Sequence, residues 1–85
     1  MKSFSYTIKD EIGIHARPAG VLAKTAKGFK SDITIKKGDK VVNATKLMML
    51  MSLGVRCGET ITVSAYGEDE DVAIVAMKEF FDNNL

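Results

Sequence analysis

One cysteine, one proline and one histidine are all that the 85 residues hold of those three types. A single cysteine, Cys57, leaves nothing for an internal disulfide and suits a reducing cytosol, where it reads as a small, partly buried side chain with no partner. Charge of one sign is missing as well. Twelve basic and eleven acidic side chains leave a net +1, too little for the broad basic footprint of a nucleic-acid binder, so any electrostatic role is local and no nucleic-acid partner is expected. No apolar run is long enough to span a bilayer. Met1-Lys2-Ser3-Phe4 leads straight into a strand pattern rather than the apolar centre of a signal peptide, which places the protein in the cytoplasm with no membrane insertion. The length allows one hydrophobic core, hence one domain over residues 1–85.

The only histidine and the only proline stand together, in Gly13-Ile14-His15-Ala16-Arg17-Pro18-Ala19-Gly20. Proline lacks an amide hydrogen and is comfortable only in the first turn of a helix, so a helix starts just before Pro18 and His15 falls at or near its N-cap. The amides of Ala16 and Arg17 then have no partner within the helix and face whatever the ring carries, which is an anion site. The positive helix end and the Arg17 guanidinium disfavour an imidazolium, leaving a neutral ring able to act as a nucleophile. A phosphoryl group on that ring would bring negative charge that the amides and the planar fork of Arg17 can hold. A lone histidine at a helix start is more often a cap or a surface residue. Against that stand the absence of any competing histidine, the arginine two residues on, and the frame set by Pro18.

The hydrophobic period then switches along the chain. Phe4, Tyr6 and Ile8 alternate with polar residues as in a half-buried strand. Ala19, Leu22, Ala23 and Ala26 follow helical spacing, with Arg17, Lys24 and Lys27 on another side and Gly28 as the stop. Ile33 and Ile35 mark a second strand and Val41 and Asn43 a third, joined by the hairpin turn Lys37-Gly38-Asp39-Lys40. A short helix runs from about Lys46 to Ser52, with Thr45 as N-cap and Gly54 beyond its end. Ile61, Val63 and Ala65 give a fourth strand ending at Gly67. Glu68 to Asp71 open a last helix where its dipole favours acidic residues, and Ala73, Ala76, Met77 and Phe80 form its buried stripe. The order β-α-β-β-α-β-α, with too few strands for two sheets, implies an α+β fold in which helices cover one face of a single, mostly antiparallel sheet.

The short helix, Leu47-Met48-Met49-Leu50-Met51, is apolar on every side. Leu50 and Leu53 belong to the core, and some of the remainder must stay exposed as adaptable contact surface, unless the run is an oily helix tucked under a loop. With Lys24 and Lys27, Met48 and Met51 would give a basic and oily face suited to acidic, apolar partner surfaces; taken alone, those lysines are better explained as a solvated helix side.

Over nearly its whole length the sequence resembles the HPr family, the histidine-containing phosphocarriers of the bacterial sugar phosphotransferase system. The likeness rests on Gly13 to Gly20, on Lys30-Ser31-Asp32-Ile33 and on Met51-Ser52-Leu53-Gly54-Val55. It implies an open-faced β-sandwich, a four-stranded sheet covered on one face by three helices, with His15 as phosphoryl acceptor, Arg17 as the stabiliser of the phosphate, and the Ala16 amide beside them. It implies further that phosphorylated enzyme I loads the histidine, that a sugar-specific enzyme IIA unloads it, and that the carrier catalyses no turnover alone. Gly20, Lys24, Lys27, Lys46, Leu47, Met48 and Met51 would form the partner face of a monomer needing neither cofactor nor metal. One position departs from the family: a serine phosphorylated by a kinase in its Gram-positive branch aligns with Lys46, so that switch is expected to be absent unless Thr45 substitutes. The alternative is an HPr-like regulator that binds a transcription factor or metabolic enzyme without carrying phosphate. The family's known example of that kind lacks the histidine that is present here. A small RNA-binding module would need exposed aromatics, whereas Phe4 and Tyr6 alternate as core residues.

Overall fold

Side-chain alternation decides how the sheet is built. In the computed structural model, which describes residues 1–85, strands β1 (Lys2–Thr7), β2 (Asp32–Lys37), β3 (Lys40–Asn43) and β4 (Thr60–Tyr66) form one sheet in the order β1-β4-β2-β3, with every pair antiparallel. The register aligns Phe4, Val63, Ile35 and Val42 in one row across all four strands. These residues face the core. The neighbouring row, Ser3, Ser64, Thr34 and Asn43, faces away from it, because a pleated strand sends successive side chains to opposite sides. Of the third strand's residues it is Val42 that turns inward, while Val41 and Asn43 are exposed. Lys37 pairs with Lys40, which leaves Gly38 and Asp39 as a two-residue turn; Gly38 has φ +59, a conformation glycine adopts without steric cost.

Three helices cover the apolar face: α1 (Ala16–Lys27), α2 (Leu47–Ser52) and α3 (Glu70–Asn84), so the element order is the expected β-α-β-β-α-β-α. Helix α1 buries Pro18, Ala19, Leu22, Ala23 and Ala26, and packs against both α2 and α3. In α3 the stripe sits slightly off the expected one. Phe81 is fully buried and Ala76 only half-buried, because the aromatic ring meets Tyr6 edge-on with centroids 5.5 Å apart and Phe4 at 6.0 Å, filling the space over β1. No helix is long and apolar enough to cross a membrane.

One helix end differs from expectation, and a second adds a contact across the fold. Helix α2 has Lys46, not Thr45, at its N-cap, with no side-chain cap bond. The Thr45 hydroxyl instead donates to Asn43 Oδ1 at 2.7 Å, an alternative acceptor that local turn geometry offers. Ahead of α3, Asp69 is the N-cap, yet its carboxylate turns away from its own helix. It accepts from the amides of Lys30 (2.9 Å) and Ser31 (2.8 Å) and from the Ser31 hydroxyl (2.5 Å), tying the α1–β2 loop to the start of α3. Those bonds, the Ser31 hydroxyl first, hold the Asp69 carboxyl below the usual carboxylate range. Glu70 accepts from the Gly67 amide and pairs with the Met1 ammonium at 3.0 Å, and its carboxyl is likewise lowered, chiefly by the Gly67 bond. Cys57 is exposed rather than partly buried, since it lies in the turn between α2 and β4.

Candidate functional site

The loop between β1 and α1 is fastened at each step, and so His15 arrives in a defined place. The amides of Lys9 and Asp10 donate to the Leu85 carbonyl oxygen at 2.6 and 2.9 Å. Asp10 then builds a turn of its own: its Oδ1 accepts from the Ile12 amide (2.9 Å) and its carbonyl from the Gly13 amide (3.0 Å). Gly13 follows with φ +84 and lies against the loop after α2, where a Cβ would stand 2.2 Å from the Val55 carbonyl oxygen; no other residue type fits there without moving backbone. The Ile14 amide donates to that same carbonyl at 3.1 Å, and the Ile14 side chain is buried.

The Val55 loop is itself braced. The Lys37 ammonium donates to the carbonyls of Leu53 (3.3 Å) and Gly54 (2.9 Å), which close α2, and pairs with Glu59 at 3.1 Å. Glu59 in turn accepts from the Arg56 amide at 2.7 Å, and that bond and then the Lys37 bond hold its carboxyl below the usual range.

His15 is the N-cap of α1, with extended backbone (φ −123, ψ −178), and its carbonyl accepts the first helical bond from Ala19 at 2.9 Å. Its ring makes no cap bond to the helix. The amides of Ala16 and Arg17 therefore have no partner in the protein, and Pro18 has none to offer. No acidic side chain occupies the first turn to neutralise them. An open cleft here is lined by Asp10, His15, Arg17, Pro18, Val21 and Asn84. His15 Nε2 lies 4.0 Å from Asp10 Oδ1, and the two side chains are 33% and 30% exposed, accessible to a visiting macromolecule while partly shielded from water. The ring thus sits between the positive end of a helix and a carboxylate. Arg17 is exposed at the cleft wall and makes no ion pair within the chain. A dianion on the ring would meet two amides and a guanidinium whose donors are all unengaged.

The structure brings together His15, Arg17 and the Ala16 amide. The other expected site residues lie outside the cleft lining. Lys24 and Lys27 are exposed on α1, and Lys46 is exposed at the cap of α2, each without an ion pair. Leu47, Met48 and Met51 are exposed, Met48 at 75%, and Met49 joins them, whereas Leu50 and Leu53 are buried as expected. Gly20 is half-buried, has a helical φ, and a Cβ there would touch nothing within 4 Å, so neither turn nor packing requires a glycine. Asp10, Val21 and Asn84 were missed by the sequence reading. Asp10 carried a signal, since an aspartate three residues before a glycine suits a turn. Asn84 carried none; it reaches the cleft only because α3 ends there, with its Nδ2 donating to the Phe80 carbonyl at 2.9 Å.

Comparison with known proteins places these features in a family. The family model described as the PTS HPr component phosphorylation site matches residues 2–83. The phosphocarrier protein HPr of Mycoplasma capricolum subsp. capricolum is 46% identical over 79 residues, covering 93% of this chain and 89% of the relative. The solved structure of a mycoplasma histidine-containing phosphocarrier protein superimposes with a TM-score of 0.94 at 43% identity, over 96% of this chain and 93% of that one. The Bacillus subtilis catabolite-repression protein Crh, crystallised as a domain-swapped dimer, superimposes with a TM-score of 0.79 at 35% identity, over 94% and 92% of the two chains.

Proposed function

The chain belongs to the HPr family of phosphocarriers, and from that premise we propose that it carries one phosphoryl group on His15, taken from phosphorylated enzyme I and given up to a sugar-specific enzyme IIA during carbohydrate uptake. The observation that carries this reading is the open head of α1, where a single imidazole, two amides without partners and the Arg17 guanidinium meet in one cleft. With Nε2 turned toward Asp10, Nδ1 is the nitrogen left to attack phosphorus. The amides of Ala16 and Arg17 and the Arg17 fork then hold the phosphoryl oxygens on the ring. Amides and one surface arginine retain the group without caging it, which suits a carrier that must also release it. The protein is a covalent intermediate between other enzymes rather than a catalyst of turnover, it works in the cytoplasm as a monomer, and it uses no cofactor or metal.

Gly20, Lys24, Lys27, Lys46, Leu47, Met48 and Met51 form the partner face in this reading. Adaptable methionines beside unpaired lysines fit acidic, apolar surfaces, and the bare Gly20 permits close approach. The kinase-regulated serine has no counterpart. Lys46 stands at the cap of α2 in its place, and the neighbouring Thr45 hydroxyl is engaged by Asn43. Incubation with enzyme I and labelled phosphoenolpyruvate should give one acid-labile, base-stable phosphate per chain. Equal labelling of the His15→Ala protein would refute the assignment. A binding-only regulator of a transcription factor or metabolic enzyme, the other reading, would take no label at all.

A further inference from the structure

Asp10 is held more firmly than a loop carboxylate needs to be. Its amide is bonded to Leu85, its carbonyl to Gly13, and its Oδ1 to the Ile12 amide, while that same carboxylate stands 4.0 Å from His15 Nε2. Resting on the carrier reading above, we infer that Asp10 is a positioning residue for phosphoryl transfer: it fixes the proton of the His15 ring on Nε2 and offsets the positive charge the ring acquires when phosphorus bonds to Nδ1.

The electron count explains why such a group matters. The Nδ1 lone pair forms the N–P bond, the bond between phosphorus and its donor atom breaks, and the donor leaves with that electron pair. The ring keeps its Nε2 proton throughout and ends with a formal positive charge. Arg17 and the helix end hold the phosphoryl oxygens but repel that ring charge, and Asp10 is the one anionic side chain in the cleft wall, since Asn84, from α3, is neutral. At 4.0 Å the pair is an electrostatic contact and not a hydrogen bond. Catalytic contacts are often long in the resting site and tighten in the reacting complex, where a carboxylate beside a histidine holds its tautomer and offsets its charge.

The turn and the charge can be separated by mutation. Asp10→Asn keeps the Oδ1 acceptor for the Ile12 amide and removes only the charge, whereas Asp10→Ala removes both. With enzyme I and phosphoenolpyruvate, Asp10→Asn should fold with unchanged Tm and show unchanged KM as a substrate of enzyme I. Its maximal rate of loading should fall roughly five- to tenfold, the size of a contact between partly exposed charges near 4 Å. The equilibrium share of phosphate on the carrier should fall in the same direction, and the 15N shift of Nε2 in the phosphorylated protein should move. Asp10→Ala should load no faster than Asp10→Asn. If Asp10→Asn matches the wild type in rate, equilibrium and Nε2 shift, the charge has no role and the inference fails. If the wild type itself takes no phosphate, the carrier reading fails instead, so the two are told apart.

Discussion

Helices α1 and α3 both begin at the same side of chemistry, a positive dipole end with free amides, and the chain treats them in opposite ways. At α3 the start is crowded with carboxylates. Asp69 sits at the cap and is locked to Lys30 and Ser31, and Glu70 and Asp71 fill the first turn. At α1 the cap is an imidazole with no bond to the helix, the first turn holds no acid, and the two leading amides have no partner. At α3 the acidic side chains offset the dipole without bonding the helix's own amides, and the Asp69 carboxylate is used to tie down the α1–β2 loop. At α1 the leading amides are left without any partner in the chain, which is what the proposed carrier role requires. A helix start whose amides lack internal partners is free to take them from a ligand.

The most severe way to break this contrast is to place a capping carboxylate at the head of α1. In His15→Asp, a carboxylate at the cap should accept from the first-turn amides and raise stability by about 1 kcal/mol, as good capping residues do. Loading with labelled phosphate should be abolished in the same protein. Urea denaturation and labelling together check it, and a destabilised variant would show that the α1 amides are not available to a cap.

Next in size is the clamp. Arg17→Ala should slow loading by about five- to 150-fold, on the order of 1–3 kcal/mol of barrier for one charged donor lost to a developing anion. The fold should be untouched, because Arg17 is exposed and unpaired. Arg17→Lys should recover only part, since an ammonium lacks the planar fork. Stopped-flow transfer from enzyme I gives the numbers, and wild-type rates in Arg17→Ala would remove Arg17 from the site.

At the α3 end the same experiments should read out as stability. Ser31→Ala removes a buried hydroxyl that donates to Asp69, and should cost about 1 kcal/mol in denaturant without changing the loading rate. The pH dependence follows from the lowered carboxyls of Asp69, Glu70 and Glu59. A carboxyl whose folded value is depressed binds fewer protons in the native state than in the unfolded one. Its contribution is fully present above the unfolded value, and is lost as pH falls through the folded one, below about pH 4. Thermal melts from pH 7 down to pH 2 should therefore show a steep loss at the acid end, and Asp69→Asn should be less stable at neutral pH and flatter in the acid range. An identical acid limb in that variant would contradict the staple.

The smallest effect belongs to the partner face. Lys46→Glu should weaken binding to enzyme I a few-fold, and added salt should weaken the wild type and shrink the difference, because exposed charges are screened. Titration calorimetry at two ionic strengths tests it. Efficient phosphorylation of Thr45 by a bacterial HPr kinase, mapped by mass spectrometry, would show that the switch has moved by one residue rather than vanished.

Much of this was legible in the sequence because local rules decide it. Pro18 can stand only in a first turn, so His15, Arg17 and the head of α1 followed from one residue. Alternation in Phe4-Tyr6-Ile8, Ile33-Ile35 and Ile61-Val63-Ala65 gave the strands and their inward faces. The Leu47–Met51 run announced exposed methionines, since a six-residue helix cannot bury every side. The expected Thr45 cap lost to a competing partner, and Asp69 shows the same kind of competition. Thr45 has cap chemistry, but Asn43 offered its hydroxyl a nearer partner. Asp69 has cap chemistry too, and the Lys30 and Ser31 amides claimed its carboxylate from across the fold.

Sequence alone therefore determined the order of the elements, most of the core faces and the place of His15 and Arg17 at the head of α1, because each rests on periodicity or on backbone constraints that act within a few residues. Tertiary structure decided the rest. It brought Asp10 to within 4.0 Å of the imidazole, set Asn84 in the cleft wall, turned Asp69 onto the α1–β2 loop, and pressed Gly13 against the Val55 carbonyl. Apart from the Asp10–His15 pair, which a single loop folds together, those contacts join segments far apart in the chain, and their partners are chosen by how α3 and the α2–β4 loop pack rather than by any pattern their residues carry locally.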